Sequence, residues 1–283
     1  MFTVDHFITT AISLIFYSCL NVACTLKIKS PEHLSATEAR DHIGQHISFV
    51  HSTLSCLLSL VVYIQDAGID YESDFSYKYI FVMGHSMGYF TYDLIYAEIF
   101  GVHDLAMRFH HACVMVGGYA LFLQDKGGSI GILCIALTEL SNPCMQVRFI
   151  LKARKEDHSR LYKISELLFA ALFVFNRGVI GTYLNYNVYQ YDVNNLVRVF
   201  VSLIYAVSIY WVYIIFCKGA KYFKKKELQN PLSRLYVKIF DTFRANQYLV
   251  IAGIFTWSVF MPPSLKMLGS TPHHLRMFQF TII

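Results

Sequence analysis

The chain has 283 residues, of which 55% are hydrophobic and only 15% charged, and its mean hydropathy is +0.42. A soluble domain carries about 25% charged residues, so this composition excludes an ordinary water-soluble enzyme and places most of the chain in a bilayer. The net charge of +5 is clustered beside apolar runs, at Lys152, Arg154 and Lys155 and at Lys221, Lys224, Lys225 and Lys226. Clusters of that kind orient membrane helices and contact anionic lipid, and they exclude a nucleic-acid partner.

In chain order, apolar stretches fall at about 6–26, 43–64, 78–100, 108–123, 129–151, 163–187 and 196–217, with a last one at 247–262. A span needs roughly 20 residues at ~1.5 Å rise each; the fourth and the last stretch are short of that. The expected fold is all-α, a multi-spanning transmembrane helix bundle of about seven spans plus a C-terminal hydrophobic helix. We divide the chain into 1–42 (an N-terminal transmembrane helix and basic loop), 43–226 (the main transmembrane domain) and 227–283. That last part is an extension with an amphipathic stretch, 228–246, and the hydrophobic helix. Asp5 precedes the first apolar run while Lys27 and Lys29 follow it, the reverse of a secretory leader, so this segment is expected to remain as a membrane helix. The connecting loops alternate. Loops one, five and seven are rich in Lys and Arg, and loop two carries Asp66, Asp70, Glu72 and Asp74. Seven crossings with the N-terminus on the outer side satisfy that alternation.

The second segment has Ser48, Ser52, Ser55 and Ser59 on one helical face, small residues that let helices approach closely. His42 and His46 lie one turn apart, but no third ligand accompanies them and no metal site is expected. The seven cysteines form no CxxC pair and read as small core residues.

The third segment has His85, Tyr89, Tyr92, Asp93 and Tyr96 at offsets of 4, 7, 8 and 11 from the first, which places all five on one face. Lipid cannot satisfy these groups, so the stripe must face the bundle interior. It is either a structural seam between helices or a contact with a lipid headgroup. The fourth segment opens on Arg108, Phe109, His110 and His111. Neighbouring helical residues point about 100° apart, so the two imidazoles face different surroundings, and histidine can serve as base or nucleophile. In the fifth, Glu139, Asn142 and Gln146 share a face, and Pro143 deprives the Glu139 carbonyl of its helical donor. In the sixth, Arg177 follows Asn176 in mid-span. A guanidinium stays charged, so it needs a carboxylate, backbone carbonyls or an anionic ligand, and Asp93 and Glu139 are the candidate carboxylates.

The run Gly88, Tyr89, Phe90, Thr91, Tyr92, Asp93, Leu94, then His110-His111, then Glu139, Leu140, Ser141, Asn142, Pro143 with Arg148, then Asn176-Arg177 resembles, in order and spacing, the TLC-domain family of multi-pass membrane proteins over about 43–226. The resemblance implies a helical membrane domain that handles lipid. One branch, the ceramide synthases, joins an acyl chain from acyl-CoA to a sphingoid base with a histidine pair in its active site. That pair maps to His110 and His111. This chain has Ala136 to Pro143 where that branch carries a His-Asp and a further Asp, and it is similar to the non-synthase members linked to membrane lipid composition.

The expected function is therefore lipid binding with influence on membrane lipid composition. Acyl-transfer chemistry would use His110, His111 and Glu139, lipid contacts would come from His85, Tyr89, Asp93, Asn142 and Arg177, and acyl-CoA would be the co-substrate with no other cofactor. The alternative is a structural accessory subunit of a large membrane complex, held to other membrane subunits through 227–283. The endoplasmic reticulum and the mitochondrial inner membrane both suit the sequence.

Overall fold

In the computed structural model, residues 4–66, 74, 76–124, 126–190 and 193–225 are described, together with Lys238 and Thr242. The expected C-terminal extension, with its amphipathic stretch and hydrophobic helix at 247–262, otherwise lies outside the described residues. The helices are α1 (Val4–Lys27), α2 (Ala36–Gln65), α3 (Tyr77–Phe100), α4 (Leu105–Gln124), α5 (Gly128–Glu139), α6 (Asn142–Ala153), α7 (Arg160–Phe173), α8 (Gly181–Val188) and α9 (Asn195–Lys225). A π-helical segment, Val174–Ile180, joins α7 to α8. No strand occurs among the described residues.

Five helical segments are long and apolar enough to cross a membrane: Val4–Lys27, Ala36–Gln65, Gly128–Ala153, Arg160–Val188 and Asn195–Ala220. Their outer faces are apolar and open. On α1 these include Phe7, Ile12, Ile15 and Val22, and on α7 Leu161, Ile164 and Leu167. Such a surface is stable in hydrocarbon and a liability in water. The α3 and α4 helices have 24 and 20 residues, so the fourth expected span is longer than the sequence suggested. α3 owes its lower apolarity to the polar stripe, and it occupies the centre, packed by α1, α2, α4 and α5. α2 also packs on α5 and α6, and α4 on α9.

Local chemistry sets the ends of these rods. Ser35 caps α2 with a full capping box: its Oγ accepts from Glu38 N–H at 3.3 Å, and its own N–H donates to Glu38 Oε2 at 2.8 Å. Satisfying two orphan donors reciprocally fixes the point where the chain enters the helix. Ser159 caps α7 by accepting from Tyr162 N–H. Gly101, at φ +65°, closes α3 in the left-handed conformation and returns its N–H to Ala97 O. The chain can then reverse within four residues, 101–104, and start α4 antiparallel to α3.

The serine face of α2 is buried as expected, with Ser52, Ser55 and Ser59 at most 1% exposed. A second close approach, between α1 and α3, depends on Gly84 and Gly88. A Cβ on Gly88 would lie 2.5 Å from the Thr10 carbonyl oxygen and 2.5 Å from Ser13 Cβ, and one on Gly84 would lie 2.2 Å from Thr9 Oγ1. Spacing of four puts both glycines on one face, the small-residue arrangement that brings membrane helices into backbone contact. Ser13 Oγ uses this proximity to donate to His85 O at 2.6 Å.

Replacing Gly88 by leucine forces α1 off α3. Overpacking of this kind costs about 1–3 kcal/mol, and Gly88→Leu should lower the thermal unfolding midpoint of detergent-solubilised protein. Gly44→Ala adds a Cβ at an ordinary 3.6 Å from Tyr96 and should leave that midpoint unchanged or higher.

Candidate functional site

The polar stripe of α3 faces inward: Tyr89, Tyr92, Asp93 and Tyr96 are buried and His85 is half-buried. Asp93 Oδ2 lies 2.8 Å from His111 Nδ1 on α4 and 3.5 Å from His103 Nε2, in the turn between the two helices. The Tyr89 hydroxyl sits between Ser48 Oγ on α2, at 2.8 Å, and Asp93 Oδ1, at 3.4 Å. His103 lies in the α3–α4 turn, and burial pushes its imidazole below the ordinary histidine range against the opposing pull of Asp93.

Deeper in the bundle, three helices meet at Tyr17 of α1. Its hydroxyl is 2.9 Å from His85 Nε2 and 3.3 Å from His51 Nδ1. His51 stacks face to face on Tyr89, with ring centroids 3.6 Å apart and planes 7° apart. The far nitrogen of His51, Nε2, points towards Glu139, whose Oε2 is 4.0 Å away. Glu139 Oε2 also accepts from Asn142 Nδ2 at 2.8 Å. The helix is interrupted at Leu140 and Ser141, and α6 restarts with Pro143 in its first turn. The Glu139 carbonyl that Pro143 leaves without a helical donor thus lies at an interruption of the helix, and Asn142, three residues on, meets the Glu139 carboxylate.

Of the partners that Arg177 requires, the structure gives it a backbone carbonyl and a hydroxyl. Among the described residues it makes no ion pair with Asp93 or Glu139. Its Nη2 donates to Thr138 O at 2.7 Å and its Nη1 to Ser208 Oγ at 3.4 Å, while the guanidinium lies 4.9 Å over the Phe173 ring. The carbonyls next to the break at Leu140 are the acceptors available at this depth. The π-helical turn, with Gly181 N–H bonded to Asn176 O, shifts Asn176 and Arg177 off the lipid-facing register into the interior. Both are at most 5% exposed. Nε of Arg177, Nδ2 of Asn176 and Oε1 of Gln146 are buried without a hydrogen-bond partner.

His110 and His111 diverge as helix geometry requires. His111 meets Asp93 and Phe90, whereas His110 packs edge-on against Trp211 of α9 at 5.0 Å. Of the residues singled out in the sequence, His111, Asp93 and Tyr89 form one group, and Glu139 and Asn142 another. His85 joins the second through Tyr17 and His51, and His110 and Arg177 line the α7–α9 side. Arg148 reaches Glu166 of α7 at 3.6 Å and acts outside this interior. The sequence reading did not include His51, His103, Tyr17 or Trp211. His51 was legible in part, because it lies three residues after Ser48 and four before Ser55, on the serine face. His103 carries no periodic signal, since only the tight turn at Gly101 folds it over Asp93.

An apolar, open exterior around a buried histidine–carboxylate–arginine interior defines a multi-pass membrane protein. The TLC domain profile (TRAM, LAG1 and CLN8 proteins) matches residues 41–217, and the chain belongs to the TLC domain family. It is similar to TLC domain-containing protein 4 A of Dictyostelium discoideum, with 24% identity over 169 residues. That match covers 56% of this chain and 63% of the relative, so the chain spans less than two thirds of that relative's length.

Tyr17→Phe removes the hydroxyl shared by His51 and His85. A buried hydrogen bond lost with its partners left in place costs about 1–3 kcal/mol, so this variant should melt earlier than the wild type in detergent.

Proposed function

We propose that this protein binds a lipid inside the bundle and transfers an acyl group at the His111–Asp93 site. The five long apolar helices are joined by α3 and α4 as crossings, seven in all, and the basic loops put the Asp93 end of the bundle on the inner side of the membrane. The observation that carries the reading is the 2.8 Å contact of Asp93 Oδ2 with His111 Nδ1, while Nε2 of the same imidazole takes no hydrogen bond from the described residues. Nε2 accepts the proton of a hydroxyl or amine as that group attacks the carbonyl of an acyl thioester. The new ester or amide bond forms, the carbon–sulfur bond breaks, and the proton passes to the departing thiolate. Asp93 stabilises the imidazolium in between.

Arg177 suits an anionic group, a lipid or coenzyme A phosphate, because its hydrogen bonds go to a carbonyl and a hydroxyl, its guanidinium lies over a ring, and its Nε is unpartnered. Glu139, tied to Asn142 and near His51, sets the polarity of the chamber without touching His111. The relative's printed name describes a TLC domain and no substrate, so lipid and acyl acceptor are read here from the site alone. An accessory role in a larger assembly rests on 227–283, and no described contact supports it.

The test uses the full chain in nanodiscs with radiolabelled acyl-CoA and extracted membrane lipid. Asp93→Asn and His111→Ala should lower product formation by about 10²–10⁴-fold, the range of a general base. Full activity in His111→Ala would remove the mechanism. Native mass spectrometry gives the binding half: wild-type protein should retain anionic lipid, and Arg177→Met should lose it.

A further inference from the structure

The side chains around Asp93 answer a question that proton chemistry alone leaves open. One ligand atom from each of Asp93, His103 and His111 lies within 4.8 Å of the others, and two of the three separations are 2.8 and 3.5 Å, both to the same oxygen, Oδ2. A tetrahedral zinc site with bonds of about 2.0–2.1 Å spaces its ligand atoms by about 3.3 Å. Two of the three edges are therefore within about 0.5 Å of the spacing that one face of such a tetrahedron requires.

Two further observations favour a cation. Asp93 is 5% exposed, and its Oδ2 faces both imidazoles at once, His111 Nδ1 at 2.8 Å and His103 Nε2 at 3.5 Å. Asp41 of α2, held by Gln45 Nε2 at 2.8 Å, is also close enough for its charge to be felt at both Asp93 and His103. Two carboxylates beside two imidazoles, enclosed by helices, leave a deficit of positive charge that one divalent ion would balance.

We propose that Asp93, His103 and His111 form a binding site for a divalent first-row transition-metal ion, with zinc as the reference. Two imidazoles and a carboxylate suit this class and exclude the all-oxygen preference of magnesium and calcium. Coordination displaces the proton on His111 Nδ1, which is released to solvent. Metal binding stands on the three ligands and does not need the acyl-transfer reading. If that reading holds, the bound ion neutralises Asp93 and ties up Nδ1, so the loaded protein is a resting form and the apo protein the active one.

The experiment titrates purified, chelator-stripped full-length protein in detergent with Zn²⁺ and with Co²⁺. Dialysis stoichiometry and the visible bands of tetrahedral cobalt are the readouts. One ion per chain is expected. His103→Ala should weaken it by at least about 100-fold, beyond the ~10–100-fold of outer-shell changes, whereas His42→Ala binds as wild type. His103 lies outside the helices, so unchanged circular dichroism and elution would show that its loss is local. Asp93→Asn, checked in the same way, is the second variant. No stoichiometric ion, or equal affinity in wild type and His103→Ala, overturns the site. Neither outcome touches the acyl-transfer assay, which is run without added metal.

Discussion

Asp93 sits within an apolar bundle 2.8 Å from His111 and 3.5 Å from His103. A carboxylate taken from water into hydrocarbon loses hydration worth several kcal/mol, and only enclosed partners restore part of it. The face of α3 that carries it cannot lie against lipid. α3 is therefore central, and α1, α2, α4 and α5 close round it. The small residues follow from the same demand. Gly84, Gly88 and the serines of α2 let neighbouring backbones come near enough for short side chains to reach the polar stripe.

The opposite charge is handled differently. Arg177 finds a carbonyl near a helix break and an aromatic face, and it is brought there by a π-helical turn. Two irregularities on different elements, the interruption at Leu140 and the widened turn at Asn176, meet at one place. Broken backbone at membrane depth survives only where protein or water satisfies it, and unusual helical turns gather at working sites. Together they make an interior in which, among the described residues, Arg177 forms no ion pair with Asp93 or Glu139 and hydrogen-bonds a carbonyl instead.

Much of this was readable from residues alone. The apolar runs located the helices because bilayer thickness imposes a length, and the offsets of Tyr89, Asp93 and Tyr96 located the inward face because the helical period is fixed. Pro143 marked the Glu139 carbonyl as one without a helical donor. The partner of Arg177 was not readable, since a carbonyl acceptor leaves no mark in a side-chain pattern. Nor was His103, whose approach to Asp93 depends on a four-residue turn. The divergence of His110 from His111 followed from geometry, but the neighbours each would meet did not. Trp211 and Phe90 are separated from them by long stretches of chain.

Tyr17 precedes the stretch matched by the family profile, residues 41–217, yet its hydroxyl joins His51 to His85 inside that stretch. The unit that evolution copies and the unit that physics closes therefore have different boundaries. A domain cut at the family border would keep His51, His85, Asp93, His111 and Glu139 but would lose the buried His6 and Tyr17 and open a glycine-floored groove along α3. Lipid tails could fill its volume and could offer no hydroxyl. The first helix is in this sense an inserted wall of the chamber, and supplied as a separate peptide it would have both the groove and the hydrogen bonds to guide it back.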